Sequence, residues 1–267
     1  MQRDDAKHLT YSIEDRVATL VLANPPQNRI DERMGDELAE AVEAVGRSDA
    51  RAVLLRADGP DFSFGGDIVT WPDLDARELR ALFERYMSVF NRFERLPVPV
   101  VAAVHGLCFG GGFELALRAD VIFAAESARF GHPEQSIAIV TLLGGIYRVA
   151  ERAGRSRASE WALTSEQVPA AVMASAGVVN RVVADEALLE QATAFAQRVA
   201  KGPTRAYAAH KALLRAWAVG GVAAADEAMF DIALALFDTE DVKTTLPSAV
   251  DAFRAGRPRP VFDFQGR

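Results

Sequence analysis

The sequence predicts an α/β protein: a core that pairs its strands in parallel, followed by a helical C-terminal region. Three observations carry this. Short apolar runs alternate with segments of helical apolar spacing as far as Thr141. From Ala184 onward the helical pattern is almost uninterrupted. At 267 residues, the chain is long enough for one large domain or a core with an appendage. The expected division is a core over residues 1–200, containing the active site, and an assembly region over residues 201–267.

The elements follow in order. His8–Ile13 and Val17–Leu22 read as strands joined at Glu14-Asp15, a hairpin. Asn24-Pro25-Pro26-Gln27-Asn28 is a breaker cluster and hence a loop. Between Asp31 and Val45, apolar residues recur at helical spacing (Met34, Leu38, Ala41, Val42, Val45). Arg51–Arg56 is a short apolar strand, and Leu74–Leu96 a long amphipathic helix. Val98–Val104 and Asp120–Ala125 are further strands, with a helix over Gly110–Arg118 between them. Gly144–Ala153, Ser156–Leu163 and Val168–Ala176 read as helices, and Gly177–Val183 as a last strand. The helical remainder is expected to break at Gly202-Pro203, Gly220-Gly221 and Pro247. The prolines of Arg257-Pro258-Arg259-Pro260-Val261-Phe262 favour an extended tail.

Composition narrows the function. A formal charge of −7 argues against a nucleic-acid partner, which would call for a basic stripe. A single cysteine, Cys108, excludes a disulfide framework or a multi-cysteine zinc site. The four histidines lack metal-ligand spacing. Met-Gln-Arg-Asp-Asp lacks a signal-peptide layout, and no apolar run reaches membrane-spanning length. A soluble cytoplasmic protein with no membrane partner is expected.

Three glycine-bearing strings carry the chemistry. Phe62-Ser63-Phe64-Gly65-Gly66-Asp67 follows a strand, and its paired glycines let backbone approach a ligand closely. Gly110-Gly111-Gly112-Phe113-Glu114 runs from a strand into a helix N-terminus, where free N–H groups suit a phosphate or a developing oxyanion. Glu114 is expected in the first turn of that helix. The string fits neither a dinucleotide fingerprint nor a phosphate loop, because the required glycine or Gly-Lys-Ser/Thr is missing. Phe130-Gly131-His132-Pro133-Glu134 sets a second carboxylate on a stiff turn, since Pro133 fixes a backbone angle. Two carboxylates on rigid backbone can divide the work of base and acid.

In order and spacing these strings resemble the crotonase (enoyl-CoA hydratase/isomerase) superfamily over nearly the whole chain. Gly177-Val178-Val179-Asn180-Arg181-Val182-Val183 and the terminal Arg-x-Pro-x-Phe segment add to the likeness. The resemblance implies a spiral of β-β-α turns with a C-terminal helical trimerisation region, so a homotrimer or homohexamer. It also implies an acyl-CoA thioester substrate and no separate cofactor, coenzyme A being part of the substrate. By the same likeness, the N–H groups of Phe64 and Gly111 bind the thioester oxygen. Glu114 takes a proton from water and Glu134 protonates the α-carbon. Substrate contacts carry over to Pro26, Gln27, Phe62, Gly65, Gly66, Asp67 and Leu142.

The chain departs from the family where hydratases commonly show Pro-Gly-x-Gly-Gly; here stands Thr141-Leu142-Leu143-Gly144-Gly145. Leu142 replaces a glycine near the reacting water. Three outcomes therefore stay open: hydration, isomerisation or another enolate reaction, and a silent acyl-CoA-binding protein. Ser63, Cys108 and Arg148 read as structural residues, and His105 and His132 as hydrogen-bonded core or loop residues, with His132 worth testing beside Glu134. Lys201, Arg205 and Lys211 are candidates for coenzyme phosphates or for a solvated helix face.

Overall fold

The structure, a computed structural model, describes residues 6–267. Residues 1–5, read above for their lack of a signal-peptide layout, lie outside the described residues. The chain opens with β1 (Leu9–Glu14) and β2 (Val17–Leu22), an antiparallel hairpin. Its turn is Asp15-Arg16, one residue beyond the expected joint. Both residues take positive φ (48° and 63°), the mirror-image turn whose twist matches that of the strands. Next comes α1 (Glu32–Arg47), capped where the Asp31 side chain accepts from the Met34 N–H. It buries Met34, Leu38, Ala41, Val42 and Val45, as the spacing predicts.

The remaining elements are β3 (Ala52–Ala57), α2 (Ala76–Glu94), β4 (Val100–Val104), β5 (Leu107–Phe109), α3 (Gly110–Ala116), β6 (Val121–Ala125) and β7 (Arg129–Gly131). Then come α4 (Gly145–Ala153), α5 (Arg155–Thr164), β8 (Val168–Pro169), α6 (Ala170–Ser175) and β9 (Arg181–Val183). The last part holds α7 (Leu188–Ala200), α8 (Thr204–Ala233) and α9 (Glu240–Arg254). A six-stranded sheet runs β1-β2-β3-β4-β6-β9, parallel from β2 onward. Its middle strands are buried, which is why they read as continuous apolar runs without alternation. The α/β architecture with a helical C-terminal region is the expected one.

A second sheet, β5-β7-β8, was not anticipated. Its strands are two or three residues long, too short for any periodicity to register. It matters for the site, because it sets Phe109 opposite Gly131 and so brings two glycine strings side by side. Other departures are local. The helix expected from Val168 starts at Ala170, and the strand expected from Gly177 is confined to Arg181–Val183. Pro247 does not break α9; it sits on the exposed side, where water can take the freed carbonyl. Gly220 and Gly221 do interrupt α8, with φ/ψ of −140°/18° and 69°/−162°.

The tail beyond Arg257 has neither helix nor strand. It folds back: the Gln265 and Gly266 N–H groups donate to the Asp241 carboxylate at 2.7 and 2.8 Å. Buried Arg51 ties β3 to this region. It donates to Thr204 Oγ1 (2.8 Å), to the Phe264 carbonyl (2.9 Å) and to the Gly202 carbonyl.

Candidate active site

The site is built where three loops meet. Residues 61–63 run beside β5: the Phe62 N–H donates to His105 O (3.0 Å), Ser63 N–H to Leu107 O (3.1 Å), and Phe109 N–H to Ser63 O (2.8 Å). The chain then pairs with Ile30, whose N–H donates to Gly65 O (2.8 Å) and whose carbonyl accepts from Asp67 N–H (3.0 Å). These bonds decide which amides face the cleft. The Phe64 N–H donates to Gln27 O at 2.9 Å, and the Gly65 N–H to the Ser63 hydroxyl at 3.1 Å. Phe64 is therefore not available for the oxyanion role expected of it. Among the described residues the Gly66 N–H has no protein partner, and Gly66 lines the cavity.

Facing Gly66 is the first turn of α3, where the Gly111 N–H has no intrahelical carbonyl to bond. A Cβ built on Gly111 would lie 3.5 Å from Gly66 N, and one on Gly65 only 2.9 Å from Gly111 N. The close approach needs glycine at position 65, where the φ of 94° needs it again, whereas a Cβ on Gly111 would make only ordinary contact. Two neighbouring amides thus border one cavity.

Glu114 falls in the second turn of α3, one turn later than expected, and is buried. Its stabilising N–H groups come from elsewhere. Glu114 Oε1 accepts from the Leu143 and Gly145 N–H groups, each at 2.8 Å, at the start of α4. Burial pushes the Glu114 carboxyl upward, opposed by those two amides and by the charges of Arg118 and Arg148. The Thr141–Gly145 departure consequently changes side chains at the cleft while its amides still hold Glu114.

Glu134 follows β7 at the start of a short 3₁₀ turn, Pro133–Ile137. A Cβ on Gly110 would touch Glu134 Oε1 at 3.1 Å, so that glycine gives the carboxyl its room. Burial, aided by the charge of Glu114, raises its pKa to about 7. Its Oε2 has no hydrogen-bond partner.

The cavity between them encloses about 190 Å³. Phe64, Gly66, Gly111, Glu114, Glu134 and Leu142 line it, as do Ile30, Trp71, Phe83, Tyr86 and Leu143. Pro26, Gln27, Phe62, Gly65 and Asp67, the other expected substrate contacts, do not line it. Phe62 is fully buried in the core, and the Gln27 side chain accepts from Arg29 Nε at 2.8 Å. Arg29 was not anticipated; it borders the cavity with its guanidinium over the Phe64 ring. The aromatic wall from α2 was also missed. The amphipathic pattern marked a buried face, but not which part of it turns toward a cleft.

Behind Glu114 lies a charged network. Buried Arg118 donates to Leu143 O (2.6 Å), Asn91 Oδ1 (2.6 Å) and Glu94 Oε2 (2.8 Å). Arg148 grips Glu94 at 2.9 and 2.7 Å, the structural ion pair read for it. Burial works upward on Glu94, but Arg148 and Arg118 outweigh it and hold the carboxyl below its ordinary value. Ser63 is structural too, its hydroxyl donating to Asn28 O at 2.7 Å, and Cys108 is buried. Lys211 is committed to Asp120 at 2.6 Å.

An α/β fold of this topology, with two unpaired amides and two carboxyl groups around an apolar cleft, has the form of an enzyme that handles protons next to a polarised carbonyl. The chain belongs to the enoyl-CoA hydratase/isomerase family, whose profile matches residues 12–260. A probable enoyl-CoA hydratase of Bacillus subtilis is 32% identical over 197 residues, covering 72% of this chain and 76% of the relative. A 1,2-epoxyphenylacetyl-CoA isomerase of Escherichia coli is 34% identical over 72% and 76% of the two chains. The solved enoyl-CoA hydratase subunit I of Geobacillus kaustophilus superposes with a TM-score of 0.88 at 31% identity, over 97% of this chain and 98% of that one. Among the described residues, no helix is long and apolar enough to cross a membrane.

Proposed function

We propose that the protein hydrates an enoyl-CoA thioester, adding water across the α,β double bond. One observation carries this reading: two glutamates with different surroundings share a cleft bordered by the free amides of Gly66 and Gly111. The thioester oxygen would accept from those two amides, and each preorganised donor aimed at an enolate oxygen contributes about 3 kcal/mol to the transition state. Glu114, held by the Leu143 and Gly145 amides, takes the proton of the attacking water. Glu134, whose carboxyl still holds its proton near neutral pH, gives it to the α-carbon. The reaction draws on no cofactor beyond the coenzyme A of the substrate. Residues 201–267 would serve assembly into a homotrimer or homohexamer.

The test is loss of conjugated-thioester absorbance with short enoyl-CoA substrates. Glu114→Gln and Glu134→Gln should each lower turnover by roughly 10²–10⁴-fold. Undiminished activity in Glu114→Gln would remove the mechanism.

A second reading has its own support. Leu142 lines the cleft where hydratases carry glycine, and the similar Escherichia coli protein is an isomerase. Product analysis in heavy-oxygen water separates the two, because moving a double bond incorporates no oxygen.

A further inference from the structure

We propose that His132 is a positioning residue for Glu134, a neutral imidazole that keeps its proton on Nδ1 and donates a hydrogen bond from it to Glu134 Oε2 when that carboxyl gives up its own proton. The placement of the ring is the first ground. His132 follows β7 directly and is only 3% exposed. Its ring lies against Phe113, with centroids 5.0 Å apart and planes 30° apart. Gly145 closes the other side: a Cβ there would come within 2.4 Å of His132 Cε1 and 2.9 Å of Glu114 Cγ. The ring is thus held between α3, which carries Glu114, and the start of α4, whose amides bond Glu114.

The second ground is its unmet bonding. Neither Nδ1 nor Nε2 has a partner, and Glu134 Oε2 has none either. Buried polar atoms are nearly always paired, so three orphans in one pocket beside a site call for an explanation. Nδ1 stands 3.9 Å from Oε2, and a movement of about 1 Å brings the pair to hydrogen-bond length. Burial holds His132 down to about 4, so the ring is neutral at physiological pH and has one donor to place. A lone pair on Nδ1 would repel the carboxylate that forms on Glu134; an N–H there meets it.

The charged groups around the pair do not supply this bond. Glu114, from α3, faces Glu134 as a like charge and raises its proton affinity. Arg118, just after α3, and Arg148, from α4, are spent on Glu94 and act on Glu114. In the proposed hydration the negative charge passes from Glu114 to Glu134 as water adds. Glu114 has two amides for its charged form, and His132 gives Glu134 one donor for its own.

The idea rests on Glu134 being the acid, yet it can be tested without turnover. The Glu134 carboxyl carbon is followed through a pH titration by NMR, assigned by its loss in Glu134→Gln, in the wild-type chain, His132→Leu and His132→Asn. The Glu134 midpoint is expected about one unit higher in His132→Leu, a tenfold gain in proton affinity. His132→Asn, whose amide N–H takes the place of Nδ1–H, is expected to stay near wild type. Nitrogen-15 shifts of the wild-type ring should show Nδ1 protonated on both sides of that titration, a reading that needs no variant to fold. Equal midpoints in the wild type and His132→Leu, or a proton found on Nε2 instead, would overturn the proposal. A wild-type chain that turns over no enoyl thioester would refute the hydratase reading while leaving these titrations interpretable.

Discussion

Glu114 and Glu134 are the same residue type set to different tasks by their surroundings. Glu114 has two amides aimed at one oxygen, whereas Glu134 has burial and a like charge. Since the Glu134 pKa lies at about 7, kcat/KM for hydration is expected to fall on the alkaline side with a limb near neutrality, reported for the pair as a unit. The same shift bears on stability. In the unfolded chain the group titrates near its ordinary 4.5, so between 4.5 and about 7 the unfolded state has released a proton that the fold retains. Stability therefore falls as pH rises through that window and levels off above it, a loss of about 3 kcal/mol from this group. Urea unfolding at pH 5 and pH 8 should show a smaller decline in Glu134→Gln than in the wild type; equal declines would contradict the assignment. Both glutamates and Gly111 were legible because each stands behind or within a glycine string. Gly66 was read as a substrate contact but not as the free amide, because it lies two residues from Phe64, which strand alternation does not separate, and the turn at Gly65 (φ 94°) does not show in the sequence. Only the pairing of Ile30 with Gly65 and Asp67 tells which of Phe64 or Gly66 faces the cleft.

At the scale of elements, length decided what could be read. The long helices α1 and α2 lie within three residues of their expected ends, since several turns of periodicity average out local exceptions. The two- and three-residue strands of the second sheet have no periodicity to read, yet they align the string before Glu114 with the string before Glu134. The joint between α3 and α4 was equally hidden. There Arg118 bonds the Leu143 carbonyl while the Leu143 amide bonds Glu114, so one peptide segment is clamped from both ends. Arg118→Met keeps much of the volume but leaves that carbonyl unpaired and removes one partner of Glu94. It should cost about 3 kcal/mol in urea unfolding. Because the clamp orients Glu114 without touching the thioester, kcat should drop roughly tenfold with KM little changed. A variant with wild-type kcat would show that the Leu143 amide needs no such support.

The whole molecule presents two unlike surfaces. Over most of the core, large apolar side chains are buried; of those exposed, Ile68, Ile137 and Val140 border the cleft, and others such as Val69, Tyr147 and Leu163 lie apart from it. The C-terminal helices differ: Leu214, Val219, Val222, Phe230, Phe237 and Phe253 are all more than half exposed. The sequence showed apolar faces on these segments, but one chain's periodicity cannot say whether such a face meets its own core or another copy. The structure leaves it uncovered in the single chain. So much apolar surface on adjoining helices is unusual for a monomer, and at about 25 cal/mol per Å² its burial would drive association. Sedimentation equilibrium at micromolar concentration should therefore give three or six times the chain mass of 28.9 kDa. Val219→Asp combined with Phe230→Asp should shift it toward the monomer, because both residues are exposed and neither lines the cleft. Circular dichroism should show the core fold retained, since the central sheet and its covering helices bury their own apolar faces without α8. A wild-type chain that sediments as a monomer at these concentrations would exclude the assembly role of residues 201–267.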